Sequence, residues 1–172
     1  VGTDLWIEKK VAGGAADPKE HFTFVLTKTS LAGTSYSVSY EGIAENDGAG
    51  HQETLTFDGN GVARLSLKNG EKARILQMPS GDVQIKEENG DYVTKVTVNG
   101  ISEKYSDASG IKIQLSSEKT ELVFTNQLDA QPPTGAELLS VPYWLMGGTA
   151  LAGLLGSRIT GKRRKDRKKK FF

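Results

Sequence analysis

Between Leu5 and Asn126 the apolar residues recur at every second position in short runs. Each run is closed by Gly, Asn or Asp, and no stretch shows a convincing 3.6-residue period. A period of two puts successive side chains on opposite faces of an extended strand, so each run has one face that needs covering. The segments are Leu5–Val11, His21–Thr29, Ser35–Tyr40, Glu53–Phe57, Val62–Leu67, Ala73–Leu76, Val83–Glu87, Tyr92–Val98, Ile111–Leu115 and Glu121–Asn126. Turn chemistry separates them at Asp58-Gly-Asn-Gly61, Lys68-Asn-Gly70, Asn89-Gly90 and Asn99-Gly100. Strands at this spacing predict an all-β sandwich over residues 1–127. The polar, glycine-rich Glu41–Gly50 reads as a loop.

The sequence has no cysteine, so a domain outside the cell must hold itself together by its core or by another cross-link. A formal charge of +1 hides a strong asymmetry: residues 1–135 carry 13 Lys and Arg against 19 Asp and Glu, whereas residues 158–172 carry nine basic groups and one acid. The folded part is therefore acidic, which argues against nucleic acid as a partner. The chain opens at Val1 with no export signal, from which we expect it to be the C-terminal part of a longer precursor.

Alternation assigns faces. Leu5, Ile7, Lys9 and Val11 share one side of the first segment, Val83, Ile85 and Glu87 one side of the seventh, and Leu122, Phe124 and Asn126 one side of the last. An amine, a carboxyl and a carboxamide are thus each set on an apolar face, where Lys and Glu are rarely buried unless paired. Taken singly, each has an ordinary explanation as a snorkelling lysine, a solvated edge acid or a turn-capping amide. A slip by one residue would exchange Lys9 with Lys10.

Leu5-Trp-Ile-Glu-Lys-Lys-Val-Ala-Gly13, Phe22-Thr-Phe24, Met78-Pro-Ser-Gly-Asp-Val-Gln-Ile-Lys-Glu87, Tyr92 and Phe124-Thr-Asn126 resemble the pilin isopeptide-linkage domain of streptococcal-type surface proteins, over nearly all of residues 4–126. The resemblance implies an immunoglobulin-like sandwich of Cna-B type. It also implies an amide bond between Lys9 and Asn126, with Glu87 as the assisting acid. Burial favours the neutral amine and the neutral acid. Glu87 is then expected to donate a hydrogen bond to the Asn126 oxygen and to pass a proton to the departing ammonia, in a single turnover rather than as an enzyme.

After the sandwich comes Gln131-Pro132-Pro133-Thr134-Gly135 in a linker over residues 128–135, then 20 uncharged residues from Leu138 to Ser157, then a basic tail. Twenty helical residues span roughly 30 Å, enough to cross a bilayer, and the positive tail assigns the C-terminus to the cytoplasm. We expect a membrane helix over residues 136–159 and a cytoplasmic tail over residues 160–172. The ordered triplet of motif, span and charge resembles a Gram-positive cell-wall sorting signal. In that family a sortase cysteine attacks the threonine carbonyl, here cutting between Thr134 and Gly135, and passes the chain to peptidoglycan or to another pilin subunit.

No cofactor motif, nucleophile elbow or phosphate loop is present, and His21 and His51 lack metal-ligand spacing. Glu45-Asn-Asp47 and Asp58-Gly-Asn60 are weak as calcium ligands, and Lys19 reads as a solvated charge. The expected function is a wall-anchored surface protein or pilin-like stalk, inserted in the membrane before sorting. An adhesin module contacting a host ligand and an accessory domain of an upstream enzyme without a cross-link remain open beside it.

Overall fold

The computed structural model describes residues 2–43 and 51–130. Gln131 to Gly135, the expected membrane span and the basic tail lie outside the described residues, as does most of the expected 41–50 loop. Among the described residues no helix is long and apolar enough to cross a membrane.

Among the described residues eleven strands form two facing sheets: β1 (Gly2–Ala12), β2 (Phe22–Thr27), β3 (Ser35–Glu41), β4 (Thr54–Thr56), β5 (Val62–Leu67), β6 (Lys72–Pro79), β7 (Gly81–Glu88), β8 (Val93–Val98), β9 (Ile101–Glu103), β10 (Ile111–Leu115) and β11 (Thr120–Gln127). The seven-stranded sheet has the order β4-β3-β6-β1-β11-β8-β9 and the four-stranded sheet β10-β7-β2-β5. All pairings are antiparallel except that of β1 with β11, the first and last strands, which run side by side in parallel at the centre of the larger sheet. A 3-10 turn at Thr29–Leu31 is the one helical element among the described residues.

The alternation expected from sequence is what closes the core. Leu5 and Ile7 of β1, Phe22, Phe24 and Leu26 of β2, Leu65 and Leu67 of β5, Val83 and Ile85 of β7, and Leu122 and Phe124 of β11 are all buried between the sheets. Burying such side chains contributes about 1.5–3 kcal/mol each, the main favourable term for a chain with no disulfide. Edge-to-face aromatic pairs tie the layers together, Phe24 to Phe124 at 4.9 Å and Phe22 to Tyr92 at 5.1 Å between ring centres.

Three details depart from the sequence reading. β6 does not end at Leu76 but continues to Pro79 through a bulge. Between the Leu5–Ile75 and Thr3–Met78 pairs one extra residue is accommodated, with Gln77 at φ 59° and its N–H held by Asp4. Asn99 and Gly100, both at positive φ, do not merely end β8 but turn it back into β9, a short exposed edge strand. Leu128, assigned by sequence to the linker, is still held to the sandwich: its N–H donates to Ala12 O, and its carbonyl accepts from Ala15. Asp58 is a turn cap, accepting from the N–H groups of Asn60 and Val62.

The turn after Asp58 depends on one glycine. Gly61 sits at φ +75°, and a Cβ there would lie 2.5 Å from the Lys28 carbonyl oxygen, whereas a Cβ at Gly59 would meet nothing. Gly61→Ala is therefore expected to destabilise the domain by about 1–3 kcal/mol. Gly59→Ala should stay within about 0.5 kcal/mol. Equal melting temperatures for the two variants would contradict this account.

Candidate functional site

Lys9, Glu87 and Asn126 meet between the sheets. Parallel pairing sets Lys9 beside Phe124 and Val11 beside Asn126, so the amine and the carboxamide are diagonal neighbours on one face of the large sheet. Glu87 reaches them from the opposite sheet, where β7 pairs it with Phe24 of β2. Each of the three residues has 0% exposure. Lys10, next in sequence, is exposed, so the register assigns the inward position to Lys9.

Lys9 Nζ lies 2.6 Å from Glu87 Oε2 and 4.3 Å from the centre of the Phe22 ring. The contact with Glu87 is close in distance but outside hydrogen-bond angles, and neither Lys9 Nζ nor Asn126 Nδ2 has an aligned partner. Lys28 offers a contrast. It too is buried, but its Nζ donates to the carbonyls of Ser80 and Asp82, as a buried ammonium ordinarily does.

Burial pushes the Lys9 amine down from 10.5 to about 8, against the opposing pull of Glu87. Burial likewise raises the Glu87 carboxyl, with Lys9 and Asn126 working the other way. The two shifts bring amine and acid toward each other, in the direction of the neutral pair.

The surrounding groups were not singled out from sequence. Glu87 is fixed through its backbone: its N–H donates to Tyr105 Oη, and that hydroxyl donates to the Glu87 carbonyl. The Asn126 oxygen takes a hydrogen bond from the Thr94 hydroxyl at 2.8 Å, a donor that the sequence did not single out beside Glu87. Inward alternation from Tyr92 into β8, with Thr94 and Val96 on the same side, was the available clue to Thr94. His51 and Glu71 form a second buried pair at 3.0 Å, which no spacing in the sequence announces.

The architecture is an immunoglobulin-like two-sheet sandwich with first and last strands adjacent, and with an amine, an acid and a carboxamide brought together in its interior. The chain belongs to the family described as a domain of unknown function, DUF7601, which matches residues 3–128. It is 28% identical to a pilin of Streptococcus pyogenes serotype M1, covering 89% of this chain and 47% of that protein. It is 33% identical to the pilus tip adhesin Cpa of Streptococcus pyogenes, covering 76% of this chain and 18% of that protein, so it spans less than half of either relative. Among solved structures, the pilus-presented adhesin Cpa superposes with a TM-score of 0.56 at 23% identity, covering 76% of this chain and 28% of the other. The major pilin from Streptococcus pyogenes gives a TM-score of 0.55 at 21% identity, covering 75% and 48%.

Removing the amine while leaving the acid tests the electrostatics of the site. In Lys9→Met, Glu87 remains buried without its cation and its pKa rises further. A carboxyl raised in the folded state keeps its full contribution below the ordinary value of 4.5 and loses it as pH climbs through the folded value. The variant is expected to lose stability from pH 4 to 7, by about 3–5 kcal/mol in all. Adding Glu87→Gln should flatten that dependence. Denaturation curves with the same pH slope in both variants would refute this.

Proposed function

We propose that this chain is a surface module of a Gram-positive cell, a pilus-type stalk segment. In this reading an autocatalytic amide bond between Lys9 and Asn126, assisted by Glu87, closes the sandwich, and a sortase attaches the chain at Thr134. The observation that carries the reading is the convergence of the three groups in an interior closed to solvent, with Lys9 Nζ 2.6 Å from Glu87 Oε2. Kinship with a pilin and a pilus tip adhesin supports the surface role. The match to the pilin covers more of the chain than residues 1–130 can supply, so the region carrying Gln131–Gly135 takes part in it.

The chemistry balances without a cofactor. Glu87 takes a proton from the Lys9 ammonium, and the freed amine attacks Cγ of Asn126, sending the carbonyl electron pair to Oδ1. Glu87 then hands its proton to Nδ2 and receives one from the attacking nitrogen. The Cγ–Nδ2 bond breaks, ammonia departs and an amide remains. Because the ammonium charge has vanished, Glu87 ends protonated, the form that burial favours. Proximity supplies what water cannot, since both reactants are held in place by the fold. The bond would join the two central, parallel strands β1 and β11, the first and last strands of the sandwich.

Intact mass spectrometry of the folded chain should find one ammonia less than the sequence predicts, and an undiminished mass would remove the cross-link. Lys9→Ala and Asn126→Ala should each keep that mass. Closing a loop on the order of 100 residues stabilises by roughly 4–5 kcal/mol in the chain-entropy account, so both variants should melt at least about 10 °C lower.

For attachment, Thr134→Ala in the producing cell should shift the chain from the wall fraction to the membrane fraction. Unchanged wall linkage would exclude Thr134 as the acyl donor.

A further inference from the structure

We propose that Thr94 is a catalytic residue of this reaction: its hydroxyl is the oxyanion donor for Asn126, and Asn89 is the positioning residue that aims it. The inference rests on the cross-linking reading above and adds to it the group that receives the developing charge. Antiparallel pairing of β8 with β11 sets Thr94 directly opposite Asn126. The Thr94 hydroxyl has a single proton and two candidate acceptors, Asn126 Oδ1 at 2.8 Å and Glu87 Oε1 at 3.5 Å. The shorter distance directs it to Asn126.

Asn89 holds the hydroxyl in that orientation. It follows β7, is 8% exposed, and its Nδ2 donates toward Thr94 Oγ1. That bond occupies a lone pair of the hydroxyl oxygen and leaves its proton facing Asn126. The same Nδ2 is anchored by the Tyr92 carbonyl at 3.2 Å and the Asp107 carboxylate at 3.0 Å, with its two hydrogens shared among three acceptors. A chain from Asp107 through Asn89 and Thr94 thus ends on the oxygen that turns negative when Lys9 attacks.

This division of labour relieves Glu87 of a double duty. Its Oε2 faces the amine it must deprotonate, and the carboxamide oxygen is already served by another donor. In a site closed to solvent, a donor already aimed at the oxyanion needs no rearrangement as the charge forms, and removing one such donor lowers rates by about 10²–10³-fold. A hydroxyl that only braced two strands would instead contribute about 1 kcal/mol to stability and leave the rate alone.

The test is the time course of ammonia loss, followed by intact mass in the full chain freshly made by cell-free synthesis, with protease resistance of the sandwich reporting folding. Thr94→Val should fold and lose ammonia about 10²–10³-fold more slowly, while Thr94→Ser should stay within about tenfold of the parent chain. The Thr94→Ser and Thr94→Ala pair carries the same comparison should Val not be accommodated. Asn89→Ala should slow the reaction and Asn89→Gln should partly restore it. Parent-like rates in protease-resistant Thr94→Val or Thr94→Ala would overturn the inference while leaving the cross-link intact. No ammonia loss in the parent chain would overturn both.

Discussion

A charged pair that water cannot reach governs this molecule. Separated in the unfolded chain, Lys9 and Glu87 are each well hydrated. Folding strips both and brings them to 2.6 Å, and their attraction only partly offsets the loss of solvent. A sandwich that merely needed stability would fill the space with leucine, since replacing a buried pair by apolar residues is often neutral or favourable. The pair makes sense as a reactive arrangement: burial that disfavours the ions favours the neutral amine and acid, the forms that the proposed chemistry uses. On that view the site converts an electrostatic burden into a covalent tie and leaves behind a neutral acid.

The topology determines which residues can be joined. β1 and β11 lie side by side although nearly the whole domain separates them in sequence, and their parallel register sets Lys9 two residues diagonal from Asn126. The acid comes from the other sheet, so reaction geometry depends on the two layers packing at the right depth. Phe22 lies against the amine, and Phe24 and Phe124 pack edge to face in the same core. β8, on the far side of β11, contributes the hydroxyl opposite the carboxamide. Four strands from two sheets thus each bring one polar group to a single point, and the aromatic packing that excludes water also fixes their distances.

Much of this was readable before any fold was known. The two-residue period identified ten of the eleven strands and the inward faces of Lys9, Glu87 and Asn126, because sheet geometry converts position parity directly into side. β9 was missed because Ile101–Glu103 is too short and too exposed to show alternation, and its existence depends on the turn at Asn99-Gly100 closing onto β8. The end of β6 was misjudged because a bulge breaks parity: the extra residue at Gln77 makes Met78 buried where simple alternation from Ile75 would not place it. Thr94 and Asn89 escaped notice because threonine in a strand and asparagine in a turn are the ordinary occupants of such places.

Sequence alone determined the all-β character, the acidic sandwich with its basic tail, and the polar residues facing inward, all consequences of local periodicity and composition. Only tertiary structure decided that the three inward groups meet and that a fourth group, the Thr94 hydroxyl, donates to the carboxamide oxygen. The reason is physical: side is a local property of a strand, whereas neighbourhood depends on strand order and register, which long-range pairing sets and no single segment encodes.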